Sequence, residues 1–376
     1  RSLGCKLLPF AEQCAVPAGG ALAVDRQQFS AVVTAAIEAE PLIELCREEV
    51  RTIPSDGFTI VASGPLTSEA LADDIQRLSG NDNLAFFDAI APVVVAESLN
   101  TEVIFAAARY DNGEADYLNI PLNKEQYYAF VDELLAAEKH APKDFEAKDP
   151  KAKQFFERCL PVEIIAARGR DSLRFGPMRP VGLDDPRTGH WAYGIIQLRK
   201  ENLQGSLYNL VGFQTNLTYG EQERVLRTLP GMENVEFARL GSMHRNTFLN
   251  SPQMLDATMQ FRKQQGLFFA GQICGMEGYL GNIGSGLIAA LNMARLIAGQ
   301  ELVCPPRETL LGALCHHVSE SPATSFQPMK AEFGLLTPLI PPVKKKLRKQ
   351  AYADRSDAKI QEFRHNMSES NTTTPI

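Results

Sequence analysis

Six glycines within sixteen positions, Gly271, Gly275, Gly278, Gly281, Gly284 and Gly286, follow directly on the apolar run Leu267-Phe268-Phe269-Ala270. A helical pattern then runs through Leu287, Ala290, Leu291, Ala294 and Leu296. Strand, glycine loop and helix start, in that order, form a cradle for a phosphate or a flavin. Glycine lets backbone N–H groups approach a ligand closely, and a helix N-terminus favours negative charge. The competing reading is a turn that only packs a helix on a sheet. Spacing alone does not choose between them, because no single glycine fingerprint here is specific. The candidate ligand contacts are Gly271, Gln272, Glu277, Gly278, Tyr279, Gly281, Gly284 and Gly286. Gly19 and Gly20, between Ala18 and Ala21, and the turn Ser63-Gly64-Pro65 are further cofactor-facing candidates. Tyr279 can stack on a flat ring or serve as an ordinary structural loop residue.

A second concentration of chemistry lies around Cys159, with Arg158 beside it and Arg168, Arg170, Arg174 and Arg179 following. A thiolate forms more readily near cations, and guanidinium forks suit phosphates and carboxylates. The bland alternatives are a buried structural cysteine and a solvated arginine face, the latter partly neutralised by Glu163, Asp171, Asp184 and Asp185. Lys344, Lys345, Lys346, Arg348 and Lys349 make either a phosphate-binding arm or a solubilising tail. His244, next to Arg245 and Asn246, is a candidate substrate contact or a packing residue. His316 and His317 are adjacent, so they cannot face the same way, and no metal site is expected. No G-x-S-x-G elbow, Walker A loop or H-E-x-x-H motif occurs.

The elements that must position these residues alternate in type. Residues 27–39 and 69–78 have helical periodicity, the second started by Thr67 or Ser68 as N-cap. FTIVA (58–62) is a short strand, and 86–96 a buried loop plus strand. Such alternation, closed by the late glycine loop, predicts an α/β fold with a largely parallel sheet. Residues 124–153 read as a charged helix with Tyr127, Phe130, Val131, Leu134 and Leu135 on one stripe. From 160 to about 216 the texture is β-like (VEIIAARG, WAYGIIQLR, LYNLVGFQTN), and 221–229 is again helical. The segment from about 341 trails into SESNTTTPI and is expected to be disordered.

At 376 residues the chain exceeds the usual single core, which predicts two domains or one domain with a large insertion. A net charge of −7 argues against a generally basic nucleic-acid binder, while leaving room for local basic surfaces. Seven cysteines without a CxxC pair favour free thiols in a reducing cytosol. No apolar run of spanning length and no secretory leader stands out, so neither a membrane nor a metal partner is expected.

Seven segments together resemble the folate- and FAD-dependent tRNA (uracil-5-)-methyltransferases, the TrmFO type of the GidA-like flavoproteins. They are VPAGGALAVDR (16–26), FFDAIAPVV (86–94), FERCLPVEIIAARGRDSLRFGPMRPVGL (156–183), LYNLVGFQTNLTYGEQ (207–222), MHRNTFLNSP (243–252), the 266–299 loop, and FQPMKAEFGLL (326–336). Family members begin with a GxGxxG turn and a CSNSL-like cysteine motif. Neither is present here, so the resemblance implies a Rossmann-like FAD/NAD(P)-binding domain without its first βα unit, interrupted by an α+β insertion domain. The expected boundaries are 1–118 and 236–340 for the flavin-binding parts, 119–235 for the insertion, and 341–376 for the tail. The implied reaction is C5 methylation of the T-loop uridine (position 54) of tRNA in the cytoplasm. FAD would be the cofactor, NAD(P)H the reductant and 5,10-methylenetetrahydrofolate the one-carbon donor. Cys159, in the CLPVE motif, is the implied nucleophile at uracil C6. Arg168, Arg170, Arg174, Arg179, His244, Arg245, Lys344 and Lys345 are the implied contacts to tRNA or to the folate tail. The rivals are a cofactor-free RNA-binding fragment and a GidA-like wobble-uridine flavoprotein.

Overall fold

The computed structural model describes residues 1–18, 21–80, 84–111, 115, 117–140, 160–202 and 204–370. In chain order the first elements are α1 (Leu7–Gln13), β1 (Ala15–Val16), β2 (Ala23–Val24), α2 (Arg26–Glu38), β3 (Thr59–Val61) and α3 (Glu69–Ser79). β4 (Leu84–Ile90), β5 (Val93–Val95), β6 (Phe105–Ala106), β7 (Tyr117–Leu122), α4 (Lys124–Ala136) and α5 (Val162–Ala167) follow. Next come β8 (Gly194–Lys200), β9 (Leu207–Leu210), α6 (Tyr219–Leu226), β10 (Phe237–Arg239), β11 (Ser242–Phe248) and α7 (Ser251–Met254). The last are β12 (Leu267–Phe269), β13 (Met276–Glu277), α8 (Tyr279–Ile297), α9 (Leu310–Glu320), β14 (Met329–Lys330) and α10 (Arg348–Ser370).

Local chemistry sets the helix starts. Asp25 caps α2 by accepting from the Gln27 and Gln28 N–H groups, each at 3.0 Å. Ser68 caps α3, which ends at Gly80 in the left-handed region, φ 71°. Asn123 and Gln126 make a reciprocal capping box on α4, both bonds 2.9 Å.

The chain divides into two compact units. The second comprises residues 7–45 and 86–245. Its centre is a six-stranded sheet in the order β10-β5-β9-β8-β7-β6, every neighbouring pair antiparallel. β7 and β8 are in register from Tyr117↔Arg199 to Leu122↔Gly194. Ile120, Leu122, Ile196 and Leu198 from these strands share one core with Tyr127, Phe130, Val131 and Leu134 of α4, and with Val162 and Ala166 of α5. Each such large apolar side chain contributes about 1.5–3 kcal/mol on full burial.

The first unit comprises residues 1–6, 46–85 and 246–376. Here β3 pairs parallel with β12, Thr59↔Leu267 to Val61↔Phe269, and β13 pairs parallel with β14. The helix α8 packs on β12, β13 and α9.

Four expectations change. The fold is α/β, but its large sheet is antiparallel, and the parallel pairs β3 with β12 and β13 with β14 are short and lie in the first unit. VEIIAARG reads as β-like from Ile164 and Ile165, yet 162–167 is the helix α5, which puts Val162, Glu163 and Ala166 on one buried face. The segment expected to be a disordered tail carries α10, with Ile360 and Phe363 buried and Arg355 donating to the Thr337 and Pro338 carbonyls. Finally, α8 is long and apolar enough to cross a membrane, a run the sequence pattern does not single out. Its buried Ile288, Ala289, Asn292 and Arg295 belong to a helix packed on a sheet and a second helix.

Candidate functional site

The glycine loop takes its shape from three backbone positions. Gly271 (φ 82°, ψ −158°), Gly275 (φ 77°) and Gly278 (φ 84°, ψ 144°) all have positive φ, where a side chain would be strained. The buried strand β12 leads in, a short turn carries Gln272, Ile273 and Cys274, and β13 brings the chain to the start of α8. Two bonds fix the loop. The Gly271 N–H donates to Ser285 Oγ at 2.8 Å, and that hydroxyl donates to the Asn282 carbonyl at 2.8 Å. Gln272 Nε2 donates to Glu277 Oε1 at 2.9 Å, joining two of the predicted contacts.

The predicted glycines separate into two classes. A Cβ built on Gly271, Gly278 or Gly286 meets nothing within 4 Å, so these positions face open space. At Gly281 it would lie 2.9 Å from Leu314 Cδ2, and at Gly284 2.7 Å from Leu311 Cδ1. Both leucines belong to α9. The missing side chains of Gly281 and Gly284 therefore admit a neighbouring helix.

The start of α8 fits an anionic or hydrogen-bonding ligand. Its N-cap is Gly278, and no side chain caps the first turn. Tyr279 and Leu280 project outward, 86 % and 68 % exposed. Asn282 Oδ1 is buried without a hydrogen-bond donor, a vacancy that sequence pattern did not flag. Uncapped N–H groups and an orphaned acceptor on the first turn of α8, with open glycine faces at Gly271 and Gly278 before the helix and at Gly286 within it, match the donors, acceptors and flat surfaces of a flavin dinucleotide. Burial pushes the Cys274 thiol up, so it stays protonated and inert beneath the loop. The earlier turn candidates Gly19 and Gly20 lie outside the described residues.

Cys159 also lies outside the described residues. The chain after it is anchored: Leu160, Val162 and Ala166 are buried. Glu163 of the same motif is 1 % exposed and accepts from Thr215 Oγ1 (3.0 Å) and the Asn216 N–H (2.8 Å). Desolvation raises its pKa against those hydrogen bonds, which lower it.

The arginines after this motif are not a uniform array. Arg168 is the C-cap of α5 and exposed. Arg170 bonds Asp132 and lies 4.8 Å from the centre of the Tyr128 ring. Arg174 stacks 3.6 Å over Tyr193 and donates to its carbonyl at 2.8 Å. Arg179 is exposed, and its side chain makes no hydrogen bond to the described residues. Arg109, absent from the sequence expectation, braces the stretch by donating to Gln197 Oε1 and to the Val181 and Arg179 carbonyls. His244 and Arg245 fall on β11, and their side chains lie outside the described part of the structure. Lys344 and Lys345 are exposed just before α10.

A cavity of about 310 Å³ in the second unit is lined in part by Asp25, Arg26, Glu201, Asn202 and Arg239, none of them among the predicted contacts. Arg239 Nε is buried there without an acceptor.

Comparison with known proteins decides the family. A family model described as glucose inhibited division protein A matches residues 1–301. The methylenetetrahydrofolate–tRNA-(uracil-5-)-methyltransferase TrmFO of Geobacter sulfurreducens is 52 % identical over 361 residues, 96 % of this chain and 82 % of that protein. The protein of the same name from Desulfitobacterium hafniense is 52 % identical over 365 residues, 97 % of this chain and 82 % of its own length. The chain belongs to the TrmFO family. Among solved structures, GidA of Aquifex aeolicus in its form II crystal aligns with a TM-score of 0.65 at 15 % identity. That match covers 88 % of this chain and 59 % of GidA, and it supports the α/β fold alone.

Proposed function

We propose that this chain methylates C5 of a uracil in the T-arm of tRNA, taking the carbon from methylenetetrahydrofolate, with FAD held on the glycine loop and Cys159 as the nucleophile. The observation that carries the reading is identity of about half to proteins of that activity, sustained over both units of the chain. The α+β second unit is read as an insertion into a flavin-binding fold.

Uracil C5 is a poor nucleophile. Addition of the Cys159 thiolate to C6 moves the C5–C6 electron pair toward C4–O4, and C5 can then attack an electrophilic one-carbon unit. Loss of the C5 proton and departure of the sulfur restore the aromatic base. Bound FAD supplies the reducing equivalents that take the transferred carbon to the methyl level, with NAD(P)H as their source. Gly271, Gly278 and Gly286 leave room for that group, Asn282 Oδ1 accepts one of its hydrogen bonds, and the first turn of α8 favours its negative charge. Ser285 holds the loop in this shape. Arg168 and Arg179, exposed on the second unit, and Lys344 and Lys345 on the first contact tRNA phosphates or the folate carboxylates. From the tRNA substrate we also infer a cytoplasmic location.

The deciding experiment uses tRNA carrying 5-fluorouridine. The wild-type chain should form a covalent adduct that survives denaturing electrophoresis, and Cys159→Ser should form none. Undiminished trapping by Cys159→Ser removes this sulfur from the mechanism.

A further inference from the structure

The second unit exposes two large aromatic side chains beside its arginine-rich stretch. Phe175 is 82 % exposed, and Trp191, the single tryptophan of the chain, is 56 % exposed. Isolated exposed apolar residues are ordinary on protein surfaces, but these two are joined by what lies between them. Arg174, the residue before Phe175, stacks 3.6 Å over the Tyr193 ring and donates from Nε to the Tyr193 carbonyl at 2.8 Å. That joint puts Phe175 one residue from one side and Trp191 two residues from the other, and consecutive Cα atoms are only about 3.8 Å apart. The support is firm. Leu173 and Met178, on either side of Phe175, are fully buried, and the Met178 N–H donates to the Leu173 carbonyl at 2.8 Å. The Tyr128 and Tyr193 hydroxyls lie 2.8 Å apart, both bonded to Asp171 Oδ1, and Arg170 covers the Tyr128 ring. Two guanidinium groups are thereby fixed on two linked rings next to the exposed pair. Residues 168–191 hold five arginines and three aspartates, in a chain whose net charge is −7. Asp185 is buried against Arg187, and Asp171 is engaged by the two tyrosine hydroxyls, so the outward charge of the stretch is positive.

We infer that Phe175 and Trp191 are stacking platforms for unpaired bases of the RNA substrate, with Arg168, Arg170, Arg174 and Arg179 taking its phosphates. The inference rests on the tRNA reading of the chain and adds to it how a loop is told from a stem. An enzyme that works on a base must take it out of its stack, and doing so uncovers the faces of the bases next to it. Aromatic rings replace that lost stacking whatever the base, because every base has a π-face, whereas a paired stem keeps its faces covered. Two exposed rings among guanidinium groups therefore favour a loop over a duplex. Charge selects RNA as the occupant. Each nucleotide offers a flat face together with a negative charge, and Arg174 and Phe175, adjacent in the chain, present the complement of both.

The test uses the whole chain, a T-arm stem-loop, and the same stem as a duplex without the loop. Because the chain has one tryptophan, emission excited beyond the tyrosine absorption reports on Trp191 alone. The stem-loop should quench that emission and the duplex should leave it unchanged. Phe175→Ala and Trp191→Ala, checked for an unchanged melting temperature, should each weaken stem-loop binding by about 5- to 150-fold and leave duplex binding as in wild type. The slope of log affinity against log salt should stay the same, since neither side chain carries a charge. Phe175→Tyr and Trp191→Phe should restore most of the lost affinity. Unchanged affinity in either alanine variant, or a bound stem-loop that leaves the emission unquenched, overturns the role of that ring. An equal loss for stem-loop and duplex, or a sedimentation change showing that the pair seats another copy of the chain, overturns the platforms and leaves the tRNA reading in place. A wild-type chain that binds no stem-loop overturns the tRNA reading and the platforms with it.

Discussion

Two glycines of α8, two residues apart, should respond to alanine with opposite signs. At Gly286 the added Cβ meets nothing within 4 Å, and the backbone is helical. Gly286→Ala therefore gains helix propensity and should stabilise the flavin-free protein by about 0.4–1 kcal/mol. At Gly284 the same methyl would sit 2.7 Å from Leu311 Cδ1 and 3.2 Å from its Cδ2. Overpacking of that kind costs about 1–3 kcal/mol. Set against the same propensity gain, the net effect is a loss of about 0–2.6 kcal/mol. The melting temperature of flavin-free protein should rise for Gly286→Ala and fall for Gly284→Ala, by about 2–4 °C per kcal/mol for a domain of this size. Flavin must be removed first, because ligand binding itself raises the melting point. Flavin titration then reverses the ranking. A methyl placed in the cradle and costing about 1–3 kcal/mol weakens binding by roughly 5- to 150-fold in Gly286→Ala, whereas Gly284→Ala, altered on the α9 side, should bind nearly as wild type. Destabilisation by Gly286→Ala would show that the space is not open. Stabilisation with undiminished flavin affinity would place the cofactor on another face of α8.

Ser285→Ala leaves the Gly271 N–H without its acceptor and should cost about 1–2 kcal/mol in thermal unfolding, with a parallel loss of flavin affinity. Glu163→Ala strands the Thr215 hydroxyl and the Asn216 N–H and should cost about 1–3 kcal/mol, while Glu163→Gln, which keeps an acceptor, should match or exceed wild type at neutral pH. The sign with pH follows from a folded pKa above the unfolded one. Between the two values the native state holds the extra proton, so stability falls as pH rises through that window, and the cost is complete above the folded pKa. The advantage of Glu163→Gln over wild type in denaturant melts should therefore shrink as pH is lowered toward the ordinary glutamate range. Arg170 and Asp132 are each more than half exposed, so Arg170→Ala should change stability by less than about 1 kcal/mol. If Arg170 also meets a tRNA phosphate, the slope of log affinity against log salt should drop by about one.

What the sequence reveals here is local, and what it hides is pairing. Ser68, the αL Gly80 and the apolar stripe of α3 lie within a dozen residues of one another, so that helix is visible without tertiary knowledge. The strand–loop–helix order at 267–297 is visible for the same reason. Strand direction is not. β7 and β8 pair antiparallel although about seventy residues separate them, and no local pattern encodes that register. The helix α5 escapes detection because Ile164 and Ile165 favour a strand, while its buried face of Val162, Glu163 and Ala166 packs against distant segments, Thr215 and Asn216 donating to Glu163 from about fifty residues away. The glycines show the same division most sharply. All six fall within sixteen residues, yet Gly281 and Gly284 face α9 and Gly286 faces open space, a distinction set by Leu311 and Leu314 in a different helix. The two histidines are half legible. Adjacency correctly predicts that they diverge: His317 turns to Ser321 and Gln327, and His316 turns to Glu320 and Cys304. That the second direction leads to a thiol follows only from how the α8–α9 connection lies against α9. Chemistry carried by one contiguous segment can therefore be read from the chain, whereas chemistry shared between segments appears only once packing has brought them together.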